Sequence, residues 1–291
     1  MGRGDLTNSE WSRLLPHLPK TGGRGGRWAS HRKMINGILF RERTGVPWRD
    51  LPTRFGKWKT VYERHRRWSA DGTWETILHA VQADADAEGR IDWSMVSVDS
   101  TSCRAHQHAA GARRDAPHVP KKDHCLGSTA LMRDSDRGGL TCKIHLASEG
   151  GRRPLAFLVT PGQWGDAPQF IPVIERIRVA RLEGGRPRTR PDHLGGDKAY
   201  SSRRNRHYLR RRQIKHTIPE PRDQRANRRR RGSKGGRPAG FDKTMYKRRN
   251  EVEWTINALK NFRAVVTRYD KRAYVFHGTV TVAAIRLWLR T

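Results

Sequence analysis

The chain has 291 residues, of which 35% are hydrophobic, and it carries a formal net charge of +32 at pH 7. This length accommodates one large domain or two smaller ones with a core. So large a positive surplus repels itself unless a polyanion binds, and solubility alone needs only a few net charges. Nucleic acid is therefore the expected partner, because each neutralised phosphate releases counterions.

Membrane and secretory functions are not expected. The sequence has no run of about 18 apolar residues, and its first residues lack the apolar core of a signal peptide. The odd number of cysteines (Cys103, Cys125 and Cys142) argues against a disulfide framework. We expect a cytoplasmic, nucleoid-associated protein with reduced thiols.

Residues 1–72 show the pattern of a small helical domain. Thr7 and Glu10 have the spacing of a capping box, residues 31–45 carry an apolar stripe, and 56–68 combine an apolar face with basic faces. Such a unit is typical of helix-turn-helix DNA binding, although an ordinary helical bundle with solvated charges also fits. The predicted DNA contacts here are Lys57, Lys59, Arg64, Arg66 and Arg67.

The sequence pattern changes after a small, acidic run. We predict a linker over residues 73–90, which contain ADADAEG. After it come an apolar strand, a hairpin over 139–162, an amphipathic helix over 167–184, and then strand, helix, strand and helix. A polar stretch, 102–137, interrupts this order as an insertion. The order predicts a mixed α/β layer over 91–291.

The last predicted helix, over residues 246–261, carries two glutamates. With a step of about 100° per residue, Glu253 shares one polar stripe with Tyr246, Arg249 and Lys260, beside the apolar face. Glu251 falls well away from this stripe, and we expect it to face solvent. An i,i+4 salt-bridge network is the alternative explanation for Glu253.

Two further acids end predicted strands. Asp99 follows an apolar run, and Asp197 follows a weak strand with two glycines. Functional groups collect at such strand ends, and we expect both to converge with Glu253. Carboxylate oxygens suit magnesium, and two ions about 4 Å apart can activate water and stabilise the leaving oxygen in phosphodiester cleavage.

Three short motifs carry a family resemblance. Asp99 in VSVDSTS, Asp197 in GGDKAYSS and Glu253 resemble the D, D and E of a DDE transposase. The insertion-sequence signature Y-(2)-R-(3)-E-(6)-K is matched at Tyr246, Arg249, Glu253 and Lys260. Residues 43–68 and 138–170 are also similar to the insertion-sequence family numbered five, and the resemblance covers nearly the whole chain.

The resemblance implies a ribonuclease H-like catalytic core with two magnesium or manganese ions held by Asp99, Asp197 and Glu253. It implies binding of double-stranded DNA at terminal inverted repeats, cleavage at the element end and joining of the 3′-hydroxyl to target DNA. Arg249 and Lys260 would contact phosphate, while Tyr246 would pack on a sugar or position the helix. Synapsis of two ends implies a homodimer or a larger assembly. A non-catalytic DNA-binding regulator, a decayed relative and a structure-directed nuclease remain open.

Two other polar segments allow more than one interpretation. Residues 222–240 are the densest basic run, and we expect a disordered loop that clamps DNA through Arg228, Arg229, Arg230 and Arg231. A zinc site is conceivable where His106, His108 and His124 lie near Cys103 and Cys125, but their spacing matches no strong Cys/His pattern. We expect these histidines to contact DNA or to belong to the insertion.

Overall fold

The computed structural model describes residues 2–20, 28–110 and 141–290. The N-terminal helices are α1 (Asn8–Leu14), α2 (His31–Thr44), α3 (Trp58–Ala70) and α4 (Thr73–Ala87). At the start of α1, the Thr7 hydroxyl accepts from the Glu10 N–H and the Glu10 carboxylate accepts from the Thr7 N–H. The predicted capping box is therefore confirmed.

The prediction of a linker over residues 73–90 is wrong, because α4 occupies most of that segment. Alanine is the best helix former, so the alternating Ala and Asp residues continue the helix instead of breaking it. Ala83 and Ala85 are buried, while Asp84 pairs with His17 at 2.6 Å. The acidic residues of this run therefore lie on the outer face of a packed helix.

The C-terminal helix α12 (Ala273–Leu289) packs against α4, α3 and α2. It is apolar on most sides and almost entirely buried, as expected for a helix surrounded by others. A Cβ on Gly278 would overlap the hydroxyl of Ser69 in α3, so the two helices approach closely where the glycine lies. The N-terminal helices therefore share one core with the end of the chain.

The remaining core is a sheet in which β1, β2 and β3 are antiparallel, whereas β4 and β5 run parallel to β1. Its strands are β1 (Val96–Ala105), β2 (Thr141–Glu149), β3 (Pro154–Pro161), β4 (His193–Gly196), β5 (Lys215–Thr217) and β6 (Thr267–Arg268). The order is β3-β2-β1-β4-β5, with β6 pairing the end of β1. This is the mixed sheet of a ribonuclease H-like fold, so the predicted fold class is confirmed, and so is the hairpin.

Helices cover both faces of the sheet: α10 packs on β1 and β2 from one side, and α6 packs on β2 and β3 from the other. The helices of this part are α5 (Gln107–Ala110), α6 (Asp166–Glu175), α7 (Arg203–Arg211), α8 (Arg222–Arg230), α9 (Lys243–Lys247), α10 (Asn250–Lys260) and α11 (Arg263–Val266). In the described residues, no helix is long and apolar enough to cross a membrane.

Two segments differ from their predicted boundaries. The insertion cannot begin at residue 102, since β1 continues to Ala105 and pairs with β2 and β6. Cys103 lies in this strand opposite Cys142, and most of the predicted insertion lies outside the described residues. The basic run 222–240 is not a continuous loop: it forms α8 and a 3-10 turn, because arginine is a good helix former and Asp223 lies in the first turn.

Candidate active site

Asp99 and Asp197 lie side by side because their strands are parallel and in register. Val98 of β1 pairs with Gly196, the last residue of β4, and each of these two residues is followed directly by one of the acids. Oδ1 of Asp99 accepts from the Ser100 N–H at 2.8 Å, and Oδ1 of Asp197 accepts from the Ala199 N–H at 2.7 Å. The sequence predicted that Asp99 ends its strand. In the structure Asp99 lies within β1, which continues to Ala105.

The third acid, Glu253, reaches the site from α10. Arg249, which immediately precedes α10, donates from Nη1 to Oδ2 of Asp99 at 3.4 Å and from Nη2 to Glu253. The Arg249 side chain is only 15% exposed, whereas that of Glu253 is 47% exposed. A single guanidinium therefore joins two of the three predicted catalytic carboxylates.

The pKa of Asp99 is influenced by both of the other acids. Burial raises the pKa of Asp99, and the charges of Asp197 and Glu253 raise it further. The Ser100 N–H and the Arg249 guanidinium oppose this shift. In the described residues, no group of three metal-ligand side chains is close enough to hold an ion, and Arg249 stands between the carboxylates.

The donor set nevertheless fits a hard divalent cation. Asp99, Asp197 and Glu253 offer only carboxylate oxygens, which are the ligands of magnesium and manganese. A positively charged group, Arg249, already lies where two of these carboxylates converge.

The predicted single helix over residues 246–261 is two helices, α9 and α10, joined by a tight turn. In this turn Arg249, Glu251 and Val252 donate to carbonyls three residues earlier, not four. The prediction that Glu251 faces solvent is wrong: its side chain is 17% exposed and accepts from Arg248 Nε at 3.1 Å. Arg248 reaches Asp92 as well, at 2.7 Å, and thereby anchors the start of α10 beside β1.

The other two signature residues flank this turn and the end of α10. Tyr246 is partly buried, with its ring 5.0 Å from the ring of Phe241 and 5.8 Å from the Arg249 guanidinium. Lys260 is exposed at the last position of α10. It follows Glu253 by seven residues, or about 10 Å of helix.

The predicted DNA contacts of α3 do not form one surface. Lys57, Lys59 and Arg67 are exposed, whereas Arg66 pairs with Glu63 at 2.7 Å. Arg64 is 8% exposed and packs its guanidinium over the rings of two tryptophans. An arginine stem can cover apolar surface, and here the charged head is enclosed too, so Arg64 is a core residue in this structure.

The four arginines of the basic run also differ from one another. Arg228 is bidentate to Glu220, with both contacts at 3.1 Å, and Arg230 donates to Asn227 at 2.8 Å. Arg229 and Arg231 are exposed. The last two are the better placed of the four to meet a phosphate backbone.

Sequence reasoning missed a group behind Asp99. Asp166, in the first turn of α6, accepts from the Ser100 hydroxyl at 2.7 Å and from Lys143 Nζ at 3.1 Å. Tyr200 is also buried, and the charges of Asp99, Asp166 and Asp197 all act on its hydroxyl by raising its pKa. Asp166 follows the hairpin at the start of a predicted amphipathic helix, a position that could have singled it out.

Comparison with known families agrees with this arrangement. A family described as "Transposase DDE domain" matches residues 94–288, well over half of the chain. The chain belongs to the DDE transposases. A second family, "Putative transposase of IS4/5 family", matches residues 6–78 of this transposase, which span the N-terminal helices.

Relatives of the transposase are found in Sinorhizobium fredii and Burkholderia cepacia. It is 39% identical over 110 residues to "Uncharacterized protein y4sN" of Sinorhizobium fredii, covering 38% of this chain and 83% of that protein. It is 31% identical over 144 residues to "Putative transposase for insertion sequence element IS402" of Burkholderia cepacia, covering 50% of this chain and 60% of the relative.

Among solved structures, the transposase is similar to a chain in "Cryo-EM structure of piggyBac transposase synaptic complex with hairpin DNA (SNHP)". The match covers 97% of this chain and 70% of the other, with 10% identity and a TM-score of 0.44.

Proposed function

We propose that this DDE transposase binds the terminal inverted repeats of an insertion sequence, hydrolyses a phosphodiester at the element end and joins the freed 3′-hydroxyl to target DNA. The observation that carries the proposal is the convergence of Asp99 and Glu253 on one cationic group, Arg249, with Asp197 following the strand next to Asp99. Assignment to the insertion-sequence family numbered five rests on the four-position signature from Tyr246 to Lys260.

Asp99, Asp197 and Glu253 would hold two magnesium or manganese ions. Bound there, such ions would supply Lewis-acid stabilisation of the attacking and leaving oxygens of a phosphodiester. The three carboxylates fix the place of the reaction, since two are anchored by backbone N–H groups at the sheet and the third lies on α10. No covalent bond between protein and DNA is required.

Arg249 has a second role in this proposal. When it leaves Asp99 and Glu253, its guanidinium is free to bind the phosphate next to the scissile bond, for which a planar fork of donors is well suited. Lys260 would bind phosphate farther along the strand, and Tyr246 would hold the turn before α10 in place through its contact with Phe241.

DNA recognition is assigned to two surfaces. The first is the exposed basic side of α3, with Lys57, Lys59 and Arg67, in a helix-turn-helix-type unit. The second is α8, with Arg229 and Arg231. Arg64 is left out of the first surface because it is buried. Since two element ends must be held together, we also propose at least a homodimer, acting at the nucleoid in the cytoplasm.

Excision of the element from a plasmid with its native flanking DNA tests this proposal. Wild type is compared with Asp99→Asn, Glu253→Gln and the control Glu251→Gln, which changes a neighbouring glutamate paired with Arg248. We expect the first two to lose excision by about a hundredfold or more, and the control to keep most of it. Specific binding to the flanks without excision by any of the four proteins would instead indicate a regulator.

A further inference from the structure

An exposed aromatic side chain directly follows the candidate catalytic glutamate on α10. Trp254 is 47% exposed, and the residue before it in the helix is Glu253. The guanidinium of Arg152, which is itself exposed, lies 3.4 Å from the centroid of the indole ring. Arg152 belongs to the turn between β2 and β3, so this contact joins the hairpin to the helix that carries the third acid.

The turn that carries Arg152 is built around a buried carboxylate. Glu149, the last residue of β2, is 0% exposed. Its carboxylate accepts from the N–H groups of Asp92, Gly151 and Arg153 at 2.9, 2.8 and 3.0 Å. The Nε of Arg153 donates to the same carboxylate at 2.9 Å. Arg153 is therefore held inside the turn, whereas Arg152 lies on its outer side.

Arg152 occupies a backbone conformation that favours glycine. Its φ is 65°, in the left-handed region, and its N–H donates to the Glu149 carbonyl at 3.0 Å. Hairpin turns that need a left-handed residue normally place glycine there. The glycines of this turn are instead Gly150 and Gly151, where a Cβ would clash with the carboxylates of Asp92 and Glu149. An arginine thus takes the strained position, and backbone strain of this kind clusters at active sites and ligand contacts.

The charge of Arg152 is available to an anion. The carboxylates of the turn and of the start of α10 each pair with another arginine: Glu149 with Arg153, Glu251 with Arg248 and Glu253 with Arg249. A guanidinium over an aromatic face keeps its direction, and the N–H groups at its edge suit a phosphate. A DNA strand held at Glu253 would lie close to this pair, because the Cα atoms of residues 253 and 254 are only about 3.8 Å apart.

We propose that Arg152, held on the ring of Trp254, binds a backbone phosphate of DNA beside the candidate catalytic site. The ligand is the phosphodiester of double-stranded DNA whatever its sequence, because a contact to phosphate reads no base. The assignment rests on the proposed function, since it places DNA next to Glu253. The alternative is a purely structural contact between the hairpin and α10, which predicts the opposite effect on stability.

Arg152→Gly tests the proposal, because it removes the charge and also relieves the left-handed backbone. The matched control is Gln213→Gly: among the described residues, Gln213 is the other non-glycine residue with a positive φ, at 55°, and it is exposed and uncharged. Fluorescence anisotropy of the full chain with a labelled duplex of the native element end, across a salt series, measures binding. Arg152→Gly should make the slope of log K against log salt less negative by about 0.9 and melt at the same or a higher temperature than wild type. Gln213→Gly should keep the wild-type slope.

Neutral phosphates locate the contact. Methylphosphonate replaces one phosphate at a time close to the element end. At one such position wild type should lose about tenfold in affinity, while Arg152→Gly should lose nothing further. Trp254→Leu should show part of the Arg152→Gly effect, because it removes the support of the guanidinium but not its charge. A sensitive phosphate that depends on Arg152 but lies far from the element end would overturn the placement.

Excision by wild type and Asp99→Asn separates the possible failures. If Asp99→Asn alone loses excision while Arg152→Gly keeps the wild-type slope, the phosphate contact is wrong and the proposed function stands. If wild type does not excise the element but Arg152→Gly still changes the slope, the proposed function fails and the phosphate contact is supported. A wild-type slope together with a lower melting temperature in Arg152→Gly would indicate a structural contact and overturn the proposal.

Discussion

The guanidinium of Arg249 lies 3.4 Å from Oδ2 of Asp99 and on its other side pairs with Glu253. One cation thus ties the start of α10 to the central strand of the sheet. It also relieves the mutual repulsion of carboxylates that would otherwise face one another. Arg249 therefore links the two carboxylates to each other as well as α10 to the sheet.

Replacing Arg249 by glutamine removes this charge while keeping a polar side chain. We expect the affinity for Mn²⁺ without DNA to rise about tenfold, because a neighbouring positive charge no longer competes for Asp99 and Glu253. DNA cleavage should fall, since the proposed phosphate contact is lost. Titration with Mn²⁺ measures the first effect. Arg248→Gln is the control, because Arg248 pairs with Asp92 and Glu251. Weaker Mn²⁺ binding by Arg249→Gln would show that Arg249 supports the metal site instead of blocking it.

The exposed arginines of α8 should contribute to the salt dependence of DNA binding. Each phosphate contact contributes about −0.9 to the slope of log K against log salt. The double variant Arg229→Gln/Arg231→Gln should therefore make the slope less negative by up to about 2. Fluorescence anisotropy on duplex DNA across a salt series measures the slope. Glu220→Gln/Arg228→Gln removes a neutral ion pair and leaves the net charge unchanged, so its slope should match wild type. Equal slopes for all three proteins would exclude α8 as a DNA-binding surface.

Because His65 is buried, we expect the free energy of unfolding to fall at acidic pH. His65 is part of α3 and is fully buried against α12, where its Nε2 lies 3.2 Å from Thr279 Oγ1. Burial, as the largest cause, lowers the His65 pKa from 6.5 to about 4; the charge of Asp270 raises it and that of Arg41 lowers it. Between these pH values the unfolded chain binds more protons than the folded one, so stability is full above pH 6.5 and falls as the pH drops.

The size of this effect is up to about 1.4 kcal/mol per pH unit for one histidine. Urea unfolding of wild type and His65→Gln at pH 7 and pH 5 measures it. The variant should lose less stability between the two pH values, although His145, whose pKa is also lowered to about 4, will still contribute. An identical pH dependence for both proteins would contradict the prediction.

Gly278 should be essential for the packing of α12 on α3. Gly278→Ala introduces a Cβ that would lie 2.7 Å from the Cβ of Ser69, and overpacking of this kind costs about 1–3 kcal/mol. The melting temperature should fall by several degrees. Ala283→Gly, in the same helix, is a control for the intrinsic preference of glycine and alanine. A Gly278→Ala variant as stable as wild type would mean that the two helices can separate freely at this point.

Local patterns predicted the parts of the fold that depend on neighbouring residues. The capping box at Thr7 and the hairpin formed by β2 and β3 involve residues close in sequence, and both are present. The packing of α4 could not be predicted in this way, because its partner α12 begins almost 200 residues later. Arg64 was misassigned for a related reason: one of the two tryptophan rings that cover it, Trp28, precedes α2 and lies far from Arg64 in the sequence.

The sequence selected residues for the candidate site but did not predict their contacts. The spacing of the signature selected Arg249 and Glu253, and the strand pattern selected Asp99. The tight turn before α10 changes the helical angles, so the partly buried position of Glu251 was missed. The pairing of Arg249 with Asp99 joins residues 150 positions apart, and no periodicity along the chain reports it.

The position of α12 has a consequence for synthesis of the protein. The first four helices emerge from the ribosome early, yet the helix that completes their core is among the last parts of the chain to appear. A product that stops before residue 273 would therefore leave its N-terminal helices without their main partner as well as lacking the end of the catalytic part. We therefore expect the N-terminal helices of such a fragment to lack a stable core of their own.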